Sequence, residues 1–487
     1  MTKKTPDTNN VSSMVSDNLR SKLKGAGQEH LLHFIDAGKT NHTETTQLIN
    51  QLEKLELNHI ISAFKSATHP PPTHNNSEIL TPLECYANKH SISSTDLELW
   101  NSTGIKALSH NEVAVVVLSG GQGTRLGFDA PKGMYNIKLP SNKTLFQLHA
   151  ERIVRLKQLS NNSKIPWYIM TSPLNDSTIR TYFANNNYFG LPPEDVFFFV
   201  QGTLPCMTPE GKIILETKHQ IATAPDGNGG IYPALQKSGA LQDMEERGVK
   251  YIHVYAIDNA IVKIADPVFM GYCITNEADC GNKVVWKVSP DEKVGVLVQR
   301  GGKPQVVEYS EMDAECCSRV DKDGKLVFGA GNICNHFYRL DFIRDTILTK
   351  MKGLYHIAHK KIPHVSIDGN STIKPESPNG IKMESFIFDA FSLSKNMAVL
   401  EVEREGEFAP VKNAPGTATD NPDTARAMIS REAIRWAAVD GGAILYNKYN
   451  NASTKDLTCE ISPLKSINGE GLKYLSNTKL GYPFHIK

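Results

Sequence analysis

Apolar residues recur at three- and four-residue spacing through the first hundred positions of the chain. Leu48, Ile49, Leu52 and Leu55, then Ile60, Ile61 and Phe64, give one apolar stripe per predicted helix. The run His69-Pro70-Pro71-Pro72-Thr73-His74-Asn75-Asn76-Ser77 cannot continue that period, because proline lacks an N–H and restricts the residue before it. A linker or long surface loop is expected there.

From about Glu112 the pattern changes to short apolar runs alternating with amphipathic ones. Strands are predicted over Val113 to Leu118, Ile165 to Met170, Val196 to Val200 and Tyr251 to Ile257, and helices over Leu145 to Leu159 and Ile231 to Arg247. Alternation of this kind implies parallel pairing through right-handed crossovers, hence an α/β fold with a doubly wound, mostly parallel sheet. Gly301-Gly302, between Gly295 to Arg300 and Gln305 to Tyr309, reads as the turn of a hairpin. A final helix is expected to start near Asp420-Asn421-Pro422, with an Asx cap ahead of a first-turn proline. Three domains follow: helical over 1–110, the sheet domain over 111–404 and a small α+β domain over 405–487.

Composition narrows the function classes. The 487 residues carry 53 basic and 52 acidic side chains, a formal charge of +1, so no global field recruits nucleic acid and any phosphate recognition has to be local. The first twenty residues hold no apolar signal core and no run of eighteen apolar residues occurs, so secretion and membrane spanning are not expected. Eight cysteines without regular spacing suggest neither a disulfide framework nor a CxxC metal site, and fit a reducing cytosol.

The candidate chemistry begins directly after the first strand, in Leu118-Ser-Gly-Gly-Gln-Gly-Thr-Arg-Leu-Gly-Phe-Asp-Ala-Pro-Lys-Gly-Met134. Gly127 falls one position late for a dinucleotide fingerprint, and Gly123 is followed by Thr124-Arg125 rather than by Lys-Ser/Thr, which excludes a P-loop. What remains is a loop at the carboxyl end of a buried strand, where open α/β sheets bind ligands. Gly120, Gly121 and Gly123 let backbone amides approach a base or phosphates, with positive φ open to them, and Arg125 and Lys132 supply charge. A glycine-rich turn with solvated charges is the competing explanation.

This stretch resembles the GGxGTRLG…PK signature of the nucleotide-sugar pyrophosphorylases. The resemblance extends in order through Ala224-Pro-Asp-Gly-Asn-Gly-Gly230, Val254-Tyr-Ala-Ile-Asp-Asn259, Val306-Val-Glu-Tyr-Ser-Glu311, Gly331-Asn-Ile-Cys-Asn-His-Phe337, Pro378-Asn-Gly-Ile-Lys-Met-Glu384 and Pro410-Val-Lys-Asn-Ala414. The chain is thereby similar, over nearly its whole length, to the eukaryotic UDP-N-acetylglucosamine branch of the UDP-sugar pyrophosphorylase type 1 family.

That resemblance implies a Rossmann-like nucleotidyltransferase and assigns roles residue by residue. Arg125, Lys132 and Lys412 would be catalytic cations, and Asp258 would hold Mg²⁺. Gly120, Gly121, Gly123, Gln201 and Gly227 would contact the uridine and phosphates. Asn228, Gly295, Glu308, Asn332, Phe386 and Phe388 would surround the amino sugar. Taken without it, Asp258 reads equally as an Asx turn, Asp226 to Gly230 as a loose turn, Lys412 as a surface lysine and Phe386 and Phe388 as the core of an alternating strand over Ser385 to Phe391.

The implied substrates are UTP and N-acetylglucosamine 1-phosphate, handled by a cytoplasmic monomer with no nucleic-acid or membrane partner. UDP-glucose or UDP-N-acetylgalactosamine synthesis is the alternative, and a silent nucleotide-sugar sensor a remoter one. His356-Ile357-Ala358-His359 has no further ligand at metal-site spacing.

Overall fold

The computed structural model describes residues 11–69, 80–83, 86–89, 91–309, 311–351, 353–448 and 458–487. The proline-rich stretch over 70–77 lies outside them. Two compact units divide the chain, each discontinuous in sequence.

One unit comprises residues 11–69, Gly202–Ile231 and Met351–Asp389. Its helix His42–Lys54 starts in a capping box, Asn41 Oδ1 accepting from Glu44 N and Glu44 Oε2 from Asn41 N, both at 2.9 Å. The expected stripe is the buried face: Leu48, Leu52, Ile60 and Phe64 are buried, with Ile49, Leu55 and Ile61 packed partly against them. They share their core with Met207, Ile213, Leu215 and Ile221 and with Ile381 and Met383.

The second unit comprises residues 80–201, Tyr232–Lys350 and Ala390–Lys487 and contains the large sheet. Its strands are β1 (Val113–Leu118), β2 (Trp167–Thr171), β3 (Val196–Val200), β4 (Tyr251–Ala256), β5 (Cys280–Trp286), β6 (Val296–Arg300), β7 (Lys303–Val307), β8 (Ala330–Arg339) and β9 (Met397–Glu401). The spatial order is β9-β5-β8-β4-β1-β2-β3, with the short strand Ala87–Asn88 outside β9. Pairing is parallel across β4-β1-β2-β3 and across β5-β9, while β8 runs antiparallel to both β4 and β5. The chain is thus mixed α/β with a mostly parallel sheet. Val113 to Val117 are fully buried, as a strand covered on both faces requires.

β6 and β7 form the expected hairpin around Gly301-Gly302, and the helix Pro422–Arg435 is capped by Asn421, which accepts from Asp423 N and Thr424 N. The strand expected from Ile165 starts two residues later because Pro166 precedes it.

Three expectations are corrected. The helix predicted from Ile231 to Arg247 is two helices, Ile231–Lys237 and Ala240–Glu246, broken where Gly239 takes φ 81°. The segment read as a strand over Ser385 to Phe391 is instead a turn leading into a 3₁₀ helix, Ile387–Leu393, whose buried Ile387, Ala390 and Phe391 follow a period nearer three than two. In the glycine loop, Gly127 is the residue at positive φ, 68°, whereas Gly120, Gly121 and Gly123 have ordinary φ.

Among the described residues Cys206, Cys273, Cys280, Cys316, Cys317, Cys334 and Cys459 are free thiols. No helix among them is long and apolar enough to cross a membrane.

Candidate active site

Parallel pairing of β4 with β1 aligns Ala256 with Leu118, so the loops after these two strands leave the sheet side by side. The loop after β1 doubles back on itself. Gly123 N donates to Ala130 O at 3.0 Å, Lys132 N donates to Gly121 O at 3.2 Å, and Gln122 bridges Pro131. Lys132 is therefore brought beside Gly121, although eleven positions separate them in the chain. Arg125 lies exposed in the one-turn helix Thr124–Leu126, which Gly127 closes in a left-handed conformation.

The glycines serve mainly to leave room. A Cβ on Gly120 would sit 2.8 Å from Gln201 Oε1, so that position must lack a side chain for the Gln201 carboxamide to lie across it. On Gly123 it would strike the Phe128 ring and carbonyl at 2.8 Å, whereas on Gly121 it would meet no atom within 4 Å. Gln201, nearly buried, is fixed at the end of β3 by its N–H to Thr171 O at 2.9 Å. The start of the loop is held by Asn175, whose Nδ2 donates to Ser119 O and Gly120 O at 3.3 and 3.1 Å. No sequence signal marks Asn175, because its partners lie more than fifty residues earlier.

Asp258, just past β4, faces Lys132: Nζ to Oδ2 is 3.7 Å, with both side chains mostly buried. Val411 N donates to Asp258 O at 2.9 Å, so Lys412 begins beside the same loop, its Nζ 5.4 Å from the Phe408 ring centre. Burial raises the Asp420 carboxyl, which lies within electrostatic range of both Lys412 and Asp258, and burial pushes the nearby Cys334 thiol up to about 12, leaving it protonated at neutral pH.

The start of antiparallel β8 reaches the same sheet edge, since Asn335 pairs with Tyr255 and residues before it run toward Asp258. Three expected sugar residues meet there. Asn332 N donates to Gly295 O at 2.8 Å, and a Cβ on Gly295 would lie 3.3 Å from Glu308 Oε1. Asn332 Oδ1 accepts from Cys334 N at 3.1 Å, which leaves its Nδ2 as the group available to a ligand.

In the other unit, Gly227 has φ 89° and Asn228 Oδ1 accepts from Ile387 N at 2.9 Å. Gly229 N donates to Ser385 O, which fixes this loop against the segment carrying Phe386 and Phe388. Their rings stack at 5.0 Å, and the His356 ring lies 4.5 Å from Phe386 with Nε2 3.0 Å from the Asp389 carboxylate. His356 is thus part of an aromatic and hydrogen-bonding contact. Asp226, missed in the sequence, is a buried carboxyl whose Oδ1 accepts no hydrogen bond among the described residues, and burial raises it to about 6. Only the glycines around it hint at it: a Cβ on Gly202 or Gly230 would strike its carboxyl oxygens.

Among the described residues no group of three or more His, Cys, Asp or Glu is placed to cage a metal ion. Asp258 alone suits Mg²⁺ nonetheless, which takes one or two carboxylates and fills its shell with water and substrate phosphates. Its carboxylate accepts no hydrogen bond among the described residues, and its one ionic partner is Lys132 at 3.7 Å.

A lysine and an aspartate facing each other beside a glycine-rich loop at the carboxyl edge of parallel strands suit nucleotide phosphates and a metal ion, and the class so defined is that of the α/β nucleotidyltransferases. Residues 38–423 match the model of the UTP–glucose-1-phosphate uridylyltransferase family, and the chain belongs to that family. It is 43% identical over 491 residues to UDP-N-acetylhexosamine pyrophosphorylase-like protein 1 of Homo sapiens, covering 96% of each chain. It is 39% identical over 465 residues to UDP-N-acetylglucosamine pyrophosphorylase of Saccharomyces cerevisiae, covering 92% of this chain and 94% of that one. Among solved structures, the uridine diphosphate N-acetylglucosamine pyrophosphorylase from Trypanosoma brucei in complex with inhibitor matches with a TM-score of 0.80 at 30% identity, over 97% of this chain and 98% of that one.

Proposed function

We propose that the chain is a uridylyltransferase that converts UTP and N-acetyl-α-D-glucosamine 1-phosphate to UDP-N-acetylglucosamine and pyrophosphate. The observation that carries this reading is the meeting of Gly121, Lys132, Asp258 and the Lys412 segment at one sheet edge, with Gly295, Glu308 and Asn332 at the same edge. The names of the relatives support the same reaction.

An oxygen of the sugar phosphate attacks the α-phosphorus of UTP in line. The new P–O bond forms as the bond from that phosphorus to the oxygen bridging it to the β-phosphorus breaks, and the electron pair leaves with pyrophosphate. A phosphate monoester is already an anionic nucleophile, so no serine or general base is needed. The work is to bring two anions to ~3–3.5 Å and to offset the charge accumulating on the departing pyrophosphate.

Arg125 and Lys132 take the UTP phosphates and Lys412 the sugar phosphate. Asp258 would hold Mg²⁺, which supplies positive charge to the triphosphate when bound. The Gln201 carboxamide offers donor and acceptor to the uracil edge. Glu308 accepts from sugar hydroxyls, and Asn332 Nδ2 donates to the acetamido carbonyl.

Pyrophosphate release is measured with UTP, Mg²⁺ and N-acetylglucosamine 1-phosphate, N-acetylgalactosamine 1-phosphate or glucose 1-phosphate. Release with the N-acetylated sugars alone is expected, the glucosamine epimer favoured. Equal release with glucose would overturn the acetamido assignment, and release with none would leave a binding protein.

A further inference from the structure

Asp258 and Lys412 are carried by two segments of one unit that run side by side over only a few residues. Val411 N donates to Asp258 O at 2.9 Å, Ala260 N donates to Ala409 O at 3.0 Å, and Asn259 bridges Pro410. Asn259 and Pro410 face each other as a non-hydrogen-bonded pair between those two bonds, so the N–H that proline lacks costs the ladder nothing and the main-chain contact is only two bonds wide.

The Asn259 side chain lengthens that short contact. It is almost wholly buried; Nδ2 donates to Glu407 O at 2.7 Å and Oδ1 accepts from Ala409 N at 3.0 Å, closing on the main chain either side of Phe408. Phe408 in turn carries Lys412 Nζ over its ring. Asn259 is itself anchored: its carbonyl lies 3.2 Å from His149 Nε2.

The far end of the segment is fixed as firmly. The Glu407 carboxylate meets Lys283 at 2.9 Å, Lys89 at 3.4 Å and Lys263 at 3.5 Å, and Lys283, fully buried, also holds Asp266 at 2.6 Å. Between that cluster and Lys412, the side-chain amide of Asn259 adds two bonds to the two main-chain bonds that join the segment to the loop bearing Asp258.

We propose that Asn259 is a positioning residue: its amide locks Glu407 to Val411 in register against Asp258, so that Lys412 is set at the phosphate site before substrate arrives. This rests on the role given above to Lys412. A displacement of about 1 Å in a group that orients reacting phosphates costs on the order of 10²-fold.

Asn259→Ala, Lys412→Ala and the double variant are compared in the full-length protein by steady-state kinetics and by hydrogen exchange at the amides of Ala409 and Val411. Asn259→Ala is expected to lower kcat about 10- to 100-fold, to raise KM for the sugar phosphate but not for UTP, and to speed exchange at those two amides. The double variant is expected to be no worse than Lys412→Ala, because both changes act through one lysine. Additive losses, or wild-type exchange at Ala409 and Val411, would overturn the proposal.

Were Lys412→Ala fully active, the phosphate role of Lys412 would fall, while exchange at the two amides would still report whether Asn259 holds the segment. Should Asn259→Ala not fold, Asn259→Ser leaves a neutral hydroxyl in the buried site and removes the amide that bonds Glu407 O and Ala409 N, with the same kinetic and exchange pattern expected.

Discussion

Adding one methyl group at Gly120 tests how the glycine loop and Gln201, the residue proposed to read uracil, depend on each other. The Cβ of Gly120→Ala would lie 2.8, 3.1 and 3.3 Å from Oε1, Cδ and Nε2 of Gln201. These atoms are the free end of a flexible side chain, and the Gln201 main chain is tied to Thr171, so the carboxamide swings away while the backbone stays. The fold loses little. The nucleotide loses two neutral hydrogen bonds, each worth about 1–1.5 kcal/mol, which together raise KM for UTP roughly 30- to 160-fold.

Gln201→Ala should produce a loss of the same size. In the double variant the new methyl meets no carboxamide, so the second change should add less than about 0.5 kcal/mol. Steady-state kinetics on the four proteins, with melting temperatures recorded alongside, closes the cycle. Additive losses would refute the argument that Gly120 is bare for the sake of Gln201, as would a KM for UTP within twofold of wild type in Gly120→Ala.

Arg125→Ala should lower kcat on the order of 10²- to 10³-fold with little change in KM for the sugar phosphate, and an unchanged kcat would remove Arg125 from transition-state stabilisation. Gly121→Ala should melt with the wild type, since nothing lies within 4 Å of the added carbon, yet bind UTP less tightly in calorimetry; undiminished binding would show that the nucleotide does not occupy that space. Burial lifts the Asp226 carboxyl to about 6, so the folded chain holds that proton more tightly than the unfolded one. This contribution, about 2–3 kcal/mol, is complete below about pH 4 and lost as pH rises through 6. Asp226→Asn should therefore lose less in melting temperature than wild type between pH 5 and 8, and parallel curves would contradict the assignment. Lys283→Met strands Asp266 and Glu407 without their buried partner and should cost about 3–5 kcal/mol in denaturant unfolding, a loss under 1 kcal/mol counting against it.

The strands were legible where apolar residues run on without a break, whether the strand is almost wholly buried or, as at Val196 to Val200, only partly so. Val113 to Leu118 and Val196 to Val200 are continuous apolar runs bounded by polar residues or glycine, and the structure keeps those bounds. The break at Gly239 was not legible, because Leu235, Ala240, Leu241 and Met244 carry the apolar face across it. Ser385 to Phe388 reads as an alternating strand, and only the folded segment shows the buried Ile387, Phe388, Ala390 and Phe391 recurring in pairs three apart. At the site, the motif residues stand out only in combination, five glycines with an arginine and a lysine directly after a buried strand, whereas Asp258 alone reads equally as an Asx turn. The residues that support them do not: Asn259 acts on Glu407 and Ala409, 148 and 150 positions away, and Asn175 acts on Gly120. Such pairings exist only once the sheet has brought distant segments together.

The three-segment make-up of the unit that holds the N-terminal helices bears on how the chain can be made. A ribosome releases the N-terminal helices first, yet their apolar faces wait for Met207 to Ile221 and then for Ile381 and Met383. Until nearly four hundred residues have emerged, Leu48, Leu52, Ile60 and Phe64 have no complete surface to cover, which leaves the nascent chain exposed to aggregation for most of its synthesis. The same interleaving means that removing the helices would not trim an appendage. It would uncover Met207, Ile213, Leu215 and Met383, and a shortened chain begun after them would inherit an open core.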